Sequence, residues 1–490
     1  MIINQLLKTK KLFLLNLLFV IFAFGCSKNS DDNGTVPVDN SGTGVATPTS
    51  DVAFWMTRAD KYVLFQKQKV NLVFSSSSNS NPTIDVDTTQ TYQTIDGFGF
   101  ALTGGSATLI NSLSDTKKEA LLKELFSTDS TAIGISYLRI SIGASDLSAA
   151  PFTYDEVPSG QTDDELESFS IDQEKTDLIP VLRKMIALDP DLKIIATPWT
   201  APTWMKTTGS YEGGQLLKAD YDAYARYFVK YILAMESEGI NIDAVTPQNE
   251  PLNAYNNPSM LLDATDEADF IGNYLGPQFA ANDIDTRIIA YDHNLDHPEY
   301  ALTVLGDEKA GPYTNGSAFH LYAGAISTMT AVHNSFPDKS LYFTEQYTSS
   351  TGSFNGDLQW HIKNLIIGAT RNWSRNVLEW NLASGPDMEP HTNGGCTTCL
   401  GAVTIGPSTV TRNVSYYIIA HASKFVRPGS VRIASTIAGN LENVAFKTPE
   451  GKKILIVLND GSSTAKFNIR YNGKIVSPTL MAGAVGTFVW

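Results

Sequence analysis

The stretch KADYDAYARYFVKYILAMESEGINIDAVTPQNEP, residues 218–251, holds a helix pattern followed by a strand pattern. In its first part, 218–238, large apolar residues recur on one helical face, which predicts an amphipathic helix: Tyr221, Tyr224, Phe228, Tyr231 and Ile232. The apolar run at 242–250 predicts a buried strand, and this strand ends in Asn249 and Glu250. The unit therefore joins a helix to a strand whose end carries a carboxylate.

The same alternation of strand and helix patterns runs through the middle of the chain about eight times. The strand patterns fall at 94–102, 135–143, 192–200, 242–250, 286–292, 316–324, 340–346 and 376–382. The helix patterns fall at 115–126, 173–188, 218–238, 266–282, 297–306, 326–335, 355–371 and 412–424. Eight strand-then-helix units in series predict a (β/α)8 barrel of the α/β class.

The two ends of the folded chain have an all-β pattern. Strand-like alternation is present at 70–74 and 84–94, and short strands separated by Gly, Asn and Asp turns follow residue 428. We therefore expect a side β-sandwich domain built from N-terminal and C-terminal strands. The predicted division is a signal peptide at 1–26, a flexible linker at 27–51, sandwich strands at 52–93, the barrel at 94–427 and further sandwich strands at 428–490.

Composition narrows the class of ligand. The chain has 490 residues, of which 42% are hydrophobic and 18% charged, and its formal net charge is −15. Lys and Arg are scattered along the sequence, so the acidic surface would repel nucleic acid. A neutral carbohydrate is compatible with such a surface.

The N-terminus has the pattern of an export signal. Three lysines precede the apolar run LFLLNLLFVIFAFG at 12–25, which is short for a membrane span and is followed by Cys26. This arrangement resembles the lipobox of bacterial lipoproteins, which predicts a lipid on Cys26 and attachment to an outer membrane, on its periplasmic or surface face. An ordinary signal peptide cut nearby is the alternative.

The other two cysteines, Cys396 and Cys399, lie in GGCTTCLG. In an exported protein this spacing favours a small disulfide that stiffens a loop. A zinc site would need two more ligands at suitable spacing, and a redox motif would need a helix beginning there. The disulfide is the prediction.

Two glutamates end different strands of the predicted barrel. A barrel builds its site at the C-terminal ends of its strands, where Glu250 ends the fourth and Glu345 the seventh. Two carboxylates about 5 Å apart hydrolyse a glycosidic bond with retention, one as acid/base and one as nucleophile. Asn249 can donate to a sugar 2-hydroxyl, which favours Glu250 as acid/base and Glu345 as nucleophile. This chemistry requires no cofactor and no metal, and none is expected.

The motifs DGFGFALTGGSA, YLRISIGASDLS, TPWTAPTWMKT, TPQNEP and FTEQ together resemble glycoside hydrolase family 30, which includes lysosomal glucosylceramidase. FHLY, EWNLA and SKFVRPGS extend the resemblance over roughly 52–490. It implies a barrel with a side β-domain and supports the same roles for Glu250 and Glu345. It also implies a set of sugar-contacting residues, with the last near the nucleophile: Arg139, Trp199, Asn249, His320, Trp380 and Tyr322.

Each of these side chains also has a structural interpretation. Arg139 could neutralise a carboxylate inside the barrel, His320 could be a buried core histidine, and Tyr322 could be an ordinary strand residue. Trp199 and Trp204 could pack at the rim, and the sequence leaves Trp204 undecided.

The substrate prediction depends on two stretches. Glucosylceramidase-type members are expected to carry an Asp that holds distal glucose hydroxyls after GFGFALT, where this chain has Gly104. LTGGSA and GGCTTCLGAVTI resemble the β-1,6-glucanases of the family instead, which predicts a β-glucan substrate with β-1,6 linkages. The alternatives are a β-glucosidase, a glucosylceramidase, a xylan-cleaving enzyme, a non-catalytic glycan-binding lipoprotein and a structural surface protein.

Overall fold

The computed structural model describes residues 49–490. The predicted signal peptide, Cys26 and nearly all of the predicted linker lie outside the described residues. Within 49–490, no helix combines the length and the apolar character needed to cross a membrane.

Eight parallel strands form the barrel that the sequence predicts. In chain order they are Gly97–Ala101, Tyr137–Ile142, Lys193–Pro198, Ala244–Val245, Arg287–Asn294, Thr314–His320, Ser340–Glu345 and Asn376–Asn381. Each pairs with the next along the chain from the first to the seventh, and the eighth pairs with the first. The Arg375 amide donates to the Leu341 carbonyl at 2.8 Å, which joins the seventh strand to the start of the eighth.

Helices follow the strands and cover the outside of the barrel. They are Gly104–Ser112, Asp115–Phe126, Leu178–Leu188, Tyr221–Ser237, Ala264–Phe270, Gly276–Ala281, Pro298–Gly306, Thr328–Ser335, Phe354–His361 and Val414–Ser423. Two π-helical segments, Ile271–Leu275 and Ile362–Ala369, continue helices that the sequence predicts as single units. The helix Gly104–Ser112 was not predicted; Thr103 caps it by accepting a hydrogen bond from the Ser106 amide at 3.1 Å.

Side chains inside the barrel follow the two-residue period of its strands. The second to eighth strands each contribute one buried residue to a common cluster: Tyr137, Ile195, Ala244, Ile289, Ala318, Tyr342 and Leu378. Two residues further along the second strand, Arg139 points into the same interior and is fully buried. The apolar cluster therefore forms a floor, and a charged layer lies above it at the C-terminal ends of the strands.

The fourth strand is shorter than predicted. Pairing covers Ala244–Val245 rather than 242–250, because the chain beyond Thr246 leaves the ladder. Glu250 adopts a left-handed conformation with φ of 45°, and its amide donates to the carbonyl of Asp292 at 3.1 Å. This turn directs the Glu250 side chain into the mouth of the barrel.

The side domain combines both ends of the chain, as predicted. Its strands are Ala53–Thr57, Gln66–Lys67, Thr83–Thr94, Val431–Ser435, Leu441–Lys447, Lys453–Asn459, Asn468–Tyr471, Lys474–Val476 and Val485–Val489. The first strand of the domain, Ala53–Thr57, pairs antiparallel with the last, Val485–Val489. The rings of Phe54 and Phe488 stack in the sandwich core with their centres 4.4 Å apart. The predicted strand at 70–74 is wrong. Its Leu72 carbonyl instead accepts from the amides of Asp51 and Val52 in a loop contact.

The last barrel helix anchors this domain through His421. Its two ring nitrogens lie 2.8 Å from Thr487 Oγ1 and 2.8 Å from Thr57 Oγ1, on the last and first strands of the sandwich. Burial lowers the pKa of His421 to about 3, so the imidazole is neutral and serves as a hydrogen-bonding link. The first and last strands of the sandwich are thereby linked to the barrel.

Candidate active site

A pocket of about 410 Å³ opens at the C-terminal ends of the barrel strands. Five of the predicted site residues line it: Trp199, Glu250, Tyr322, Glu345 and Trp380. The other three predicted residues, Arg139, Asn249 and His320, are buried beneath it. The structure therefore brings the whole predicted set together in two layers, a lining and a support.

The two glutamates converge as the strand-end argument predicts. A carboxylate oxygen of Glu250 and one of Glu345 lie within 4.8 Å of each other. Retaining glycosidases place their carboxyl groups about 5 to 5.5 Å apart, whereas inverting enzymes leave room for a water molecule between them. The separation is that of the retaining geometry.

Arg139 connects the nucleophile candidate to the supporting layer. Its Nη1 donates to Glu345 Oε2 at 2.6 Å, and its Nη2 donates to Asn249 Oδ1 at 2.7 Å and to Asp292 Oδ2 at 2.8 Å. Its guanidinium lies 4.8 Å from the ring centre of Trp199 and is itself fully buried. Arg139 therefore positions side chains that face the pocket. It also neutralises an internal carboxylate, as its structural interpretation proposed.

The carboxylate that Arg139 neutralises was missed by the sequence analysis. A bulge between Tyr291 and His293 interrupts the fifth strand, and Tyr291 and Asp292 both have positive φ. The bulge turns Asp292 into the barrel interior, where Thr246 Oγ1 and Thr344 Oγ1 donate to it at 2.8 and 2.6 Å. Although burial opposes ionisation, the charge of Arg139 holds the pKa of Asp292 well below its usual range.

His320 joins the acid/base candidate to the same carboxylate. Its Nδ1 lies 3.2 Å from Glu250 Oε1 and its Nε2 lies 3.2 Å from Asp292 Oδ1. Burial disfavours the imidazolium, but the Glu345 charge and these hydrogen bonds outweigh it and raise the pKa of His320 to about 9. For Glu250, burial alone would raise the pKa of the carboxyl. The hydrogen bond to His320 and the charge of His320 outweigh burial and lower this pKa to about 2. The proton of this pair therefore lies on His320, one hydrogen bond from Glu250.

Glu345 is held from two sides. Besides Arg139, Tyr322 donates its hydroxyl to Glu345 Oε1 at 3.0 Å. Burial raises the pKa of Glu345, the charges of His320 and Arg139 lower it, and the Glu250 charge raises it again. The net effect is a carboxyl that ionises at higher pH than an ordinary glutamate. Both hydrogen bonds orient its oxygens toward the pocket.

Asp146 is a second acidic residue that the sequence analysis missed. It lines the pocket beside Trp199 and Trp380, and the Cys396 amide lies 3.3 Å from its Oδ2. Burial, reinforced by the Glu345 charge, raises the pKa of Asp146 to about 7. It lies in IGASDLS, part of a motif that carries the family resemblance, but nothing in the spacing of this motif distinguishes a pocket residue from an ordinary loop residue.

Gly104, on which the substrate prediction partly depends, begins the helix after the first barrel strand. Gly104 does not line the pocket, and a Cβ at this position would meet Ser148 Oγ at 2.9 Å. Among the residues that line the pocket, the acidic residue beside Trp199 is therefore Asp146.

The predicted disulfide is present between Cys396 and Cys399, and both residues line the pocket. Pairing of Cys399 with Ser349 connects its loop to the segment after the seventh strand. Trp204, which the sequence left undecided, lies outside the pocket and donates from Nε1 to the Asp155 carbonyl at 2.9 Å. Its structural interpretation is therefore the one that the contacts favour.

Glu250, His320 and Glu345 are close enough together to suggest a metal site. However, both ring nitrogens of His320 are already engaged by carboxylates, and Arg139 supplies the positive charge at Glu345. The donor set therefore suits proton transfer better than metal coordination.

Two family profiles match nearly the whole described chain. One is described as the glycosyl hydrolase family 30 TIM-barrel domain and matches residues 95–426, and the other is the family 30 beta sandwich domain, matching 429–488. The chain belongs to glycoside hydrolase family 30. The predicted family, the predicted fold and the prediction of a glycoside hydrolase are thereby confirmed.

Relatives of this family 30 hydrolase include endo-1,6-glucanases and glucosylceramidases. An endo-1,6-beta-D-glucanase of Aspergillus fumigatus is 35% identical over 411 residues, which cover 78% of this chain and 82% of the relative. The lysosomal acid glucosylceramidase of Mus musculus is 31% identical over 433 residues, 81% of each chain. A solved endo-beta1,6-glucanase superimposes with a TM-score of 0.84 at 34% identity and covers 90% of this chain and 99% of its own.

Replacing Arg139 by methionine is expected to destabilise this family 30 hydrolase by about 3–5 kcal/mol, because the buried charges of Asp292 and Glu345 lose their partner. The free energy of unfolding in urea measures the effect. Arg183→Met removes a half-exposed ion pair with Glu238 and is the control, with an expected loss under about 1 kcal/mol. Equal losses in both variants would contradict the supporting role of Arg139.

The pH dependence of kcat/KM is expected to be bell-shaped, with both limbs displaced upward. Glu345 must be ionised, and because its pKa is raised above 4.5, activity is lost on acidification before an ordinary glutamate would protonate. The His320–Glu250 pair must keep one proton, and activity falls as the pH rises through about 9. A basic limb near neutrality would contradict the sharing of that proton. Initial rates at low substrate concentration across this range are the measurement.

Proposed function

We propose that the protein hydrolyses β-1,6-linked glucan with retention of anomeric configuration, with Glu250 as acid/base and Glu345 as nucleophile. The observation that carries the mechanism is the convergence of these two carboxylates in the pocket, where an oxygen of each lies within 4.8 Å of the other. The likeness to endo-1,6-glucanases supports the linkage. Asn249, whose Oδ1 is bound by Arg139, keeps its amide group for the sugar 2-hydroxyl.

In the first step, a Glu345 oxygen attacks the anomeric carbon while the bond from that carbon to the leaving oxygen breaks. The proton of the Glu250–His320 pair passes from His320 Nδ1, 3.2 Å away, to Glu250 and from Glu250 to the leaving oxygen, which leaves Glu250 ionised and His320 neutral. Arg139 and Tyr322 keep the attacking carboxylate oriented. Glu345 loses its negative charge when it forms the glycosyl ester, and the leaving group departs as a neutral alcohol. The products of this step are a glycosyl-enzyme and a shortened glucan.

In the second step, Glu250 acts as a base. It removes a proton from water as the water oxygen attacks the anomeric carbon, and the ester bond to Glu345 breaks. Glu345 regains its negative charge beside Arg139, and the proton returns to the Glu250–His320 pair. Two inversions at one carbon give net retention.

Product analysis tests the linkage. We expect the mature protein to release gentio-oligosaccharides from linear β-1,6-glucan and to leave β-1,3-glucan intact, as followed by chromatography. Activity confined to an aryl β-glucoside would contradict a glucanase function and favour an exo-acting enzyme. No product from any of the three would contradict hydrolysis of these glucans.

A glucosylceramidase-type or β-glucosidase activity is the second candidate, and Asp146 is the observation that favours it. Its carboxyl lines the pocket beside Trp199 and can hold the distal hydroxyls of a terminal glucose. The likeness to the mouse glucosylceramidase supports the same candidate. Release of glucose as the sole early product from β-1,6-glucan would identify exo action, whereas a ladder of oligosaccharides would identify endo action.

We also propose that the protein is an exported lipoprotein anchored through Cys26 to an outer membrane. The basic, apolar and cysteine-terminated start of the chain supports this proposal. Expressed in a bacterium, the full-length chain is expected in the membrane fraction and Cys26→Ser in the soluble fraction. Recovery of both in the same fraction would contradict a lipid anchor at Cys26.

A further inference from the structure

The pocket has two chemically different sides. Asp146, Trp199 and Trp380 come from the second, third and eighth strands and the loops that follow them. Another side is built by residues that follow the fourth strand and by the last two residues of the fifth: Leu252, Asn253, Asn256, His293 and Asn294. These belong to the sector that contains Glu250. Since an acid must stand beside the oxygen it protonates, this sector faces the leaving group.

His293 has an unsatisfied imidazole in that sector. It is 8% exposed, and its Nδ1 is buried without a hydrogen-bond partner. None of the described residues pairs with its Nε2 either. Burial lowers the pKa of His293 to about 4, so the ring is neutral and offers one donor and one acceptor. A buried polar ring without a partner is costly, and a bound ligand would relieve that cost.

The neighbours of His293 extend the polar surface. Asn294 Oδ1 accepts a hydrogen bond from the backbone amide of Tyr322 at 2.9 Å, which leaves the side-chain NH2 group of Asn294 free. The side chain of Asn256 makes no hydrogen bond to the residues at 49–490. Asn253 donates to Glu250 Oε2 at 2.8 Å and ties this wall to the acid. Leu252 is the apolar member of the wall. Such a surface matches hydroxyl groups better than a hydrocarbon chain.

We propose that His293, with Asn294 and Asn256, forms the subsite for the sugar unit that departs with the proton from Glu250. Through hydrogen bonds to hydroxyls of this unit, His293 determines the preference for a glycosyl leaving group over an apolar one. The assignment rests on the proposed retaining mechanism and names the chemistry of the leaving group: a hydroxylated sugar rather than a lipid.

The test compares two leaving groups on one glycone. For wild type and His293→Ala, kcat/KM is measured on a gentio-oligosaccharide and on 4-nitrophenyl β-glucoside, whose leaving group has no sugar hydroxyls. The kcat/KM for the oligosaccharide divided by that for the aryl glucoside is expected to fall at least about tenfold in His293→Ala, chiefly because the KM for the oligosaccharide rises. His293→Asn, which keeps a donor and an acceptor, should recover part of the ratio. His297→Ala, at an exposed histidine of the same segment, is the control.

Other outcomes overturn the inference. An equal loss on both substrates would mean that His293 acts on Glu250 or on the fold, and an unchanged ratio would mean that it does not meet the leaving group. The proposed function is tested separately, by the activity of the wild type on the gentio-oligosaccharide. If the wild type cleaves a different disaccharide glycoside, the same ratio is measured with that glycoside in place of the gentio-oligosaccharide. If it cleaves no glycoside, both proposals are wrong.

Discussion

Glu345→Gln is expected to lose turnover of β-1,6-glucan by at least ~10⁴-fold, while the affinity for glucan is kept. The amide retains the shape of the side chain but cannot form the glycosyl ester. Its single oxygen can still accept from Arg139, and its NH2 group at the other position can donate to the Tyr322 hydroxyl oxygen. Steady-state rates and binding of glucan by isothermal calorimetry measure the two effects. The pair of results separates an enzyme from a glycan-binding protein, in which Glu345 would have no role in turnover.

A second variant distinguishes a nucleophile from a residue that merely supports the fold. In Glu345→Gly, azide can occupy the vacated face of the sugar and attack an activated aryl glucoside, which should give the α-glucosyl azide. Glu299→Gln, at an exposed glutamate, is the control and should behave as wild type. Formation of the β-azide, or residual glucan turnover near that of wild type, would contradict the assignment.

Glu250→Gln is expected to show a loss that depends on the leaving group. A gentio-oligosaccharide leaves as a poor, unprotonated alkoxide without an acid, so its kcat/KM should fall by about 10²–10⁴-fold. A dinitrophenyl glucoside needs no proton, so its first step should be much less affected and the glycosyl-enzyme should accumulate. Burst kinetics with the aryl substrate and steady-state rates with the oligosaccharide give the comparison.

The azide product again supplies a separate check. In Glu250→Ala, azide should replace water in the second step, approach from the face opposite Glu345 and give the β-glucosyl azide. Asn253→Ala removes a hydrogen bond to Glu250 and leaves the carboxyl in place, and it should show a smaller loss without azide rescue. Equal losses on good and poor leaving groups would contradict an acid role for Glu250.

The barrel could be predicted because its signals are local and repeated. Each strand and most helices are decided by apolar periodicity within a short window, as in 218–238. The helix Gly104–Ser112 escaped because it begins with two glycines and its cap depends on Thr103. The fourth strand was predicted too long because a continuous apolar run does not reveal where the chain leaves the ladder.

The site residues that lie at the ends of barrel strands could be predicted from the sequence, and those placed by a bulge or a loop could not. Glu250 and Glu345 follow from the rule that barrel residues act at the C-terminal ends of strands. Asp292 depends on a bulge that moves it to the inner face, and a one-residue shift of this kind leaves no mark in the two-residue period. Asp146 lies in a loop, where position is set by tertiary contacts such as the Cys396 amide.

The most direct test of the two-glutamate mechanism is the configuration of the first product. Proton nuclear magnetic resonance, recorded in the first minutes of hydrolysis of a gentio-oligosaccharide, resolves the two anomeric signals before mutarotation mixes them. Attack by Glu345 followed by water from the opposite face predicts that the β-anomer is formed first and the α-anomer grows in later. Initial formation of the α-anomer would mean a single inversion and would contradict the roles proposed for Glu250 and Glu345.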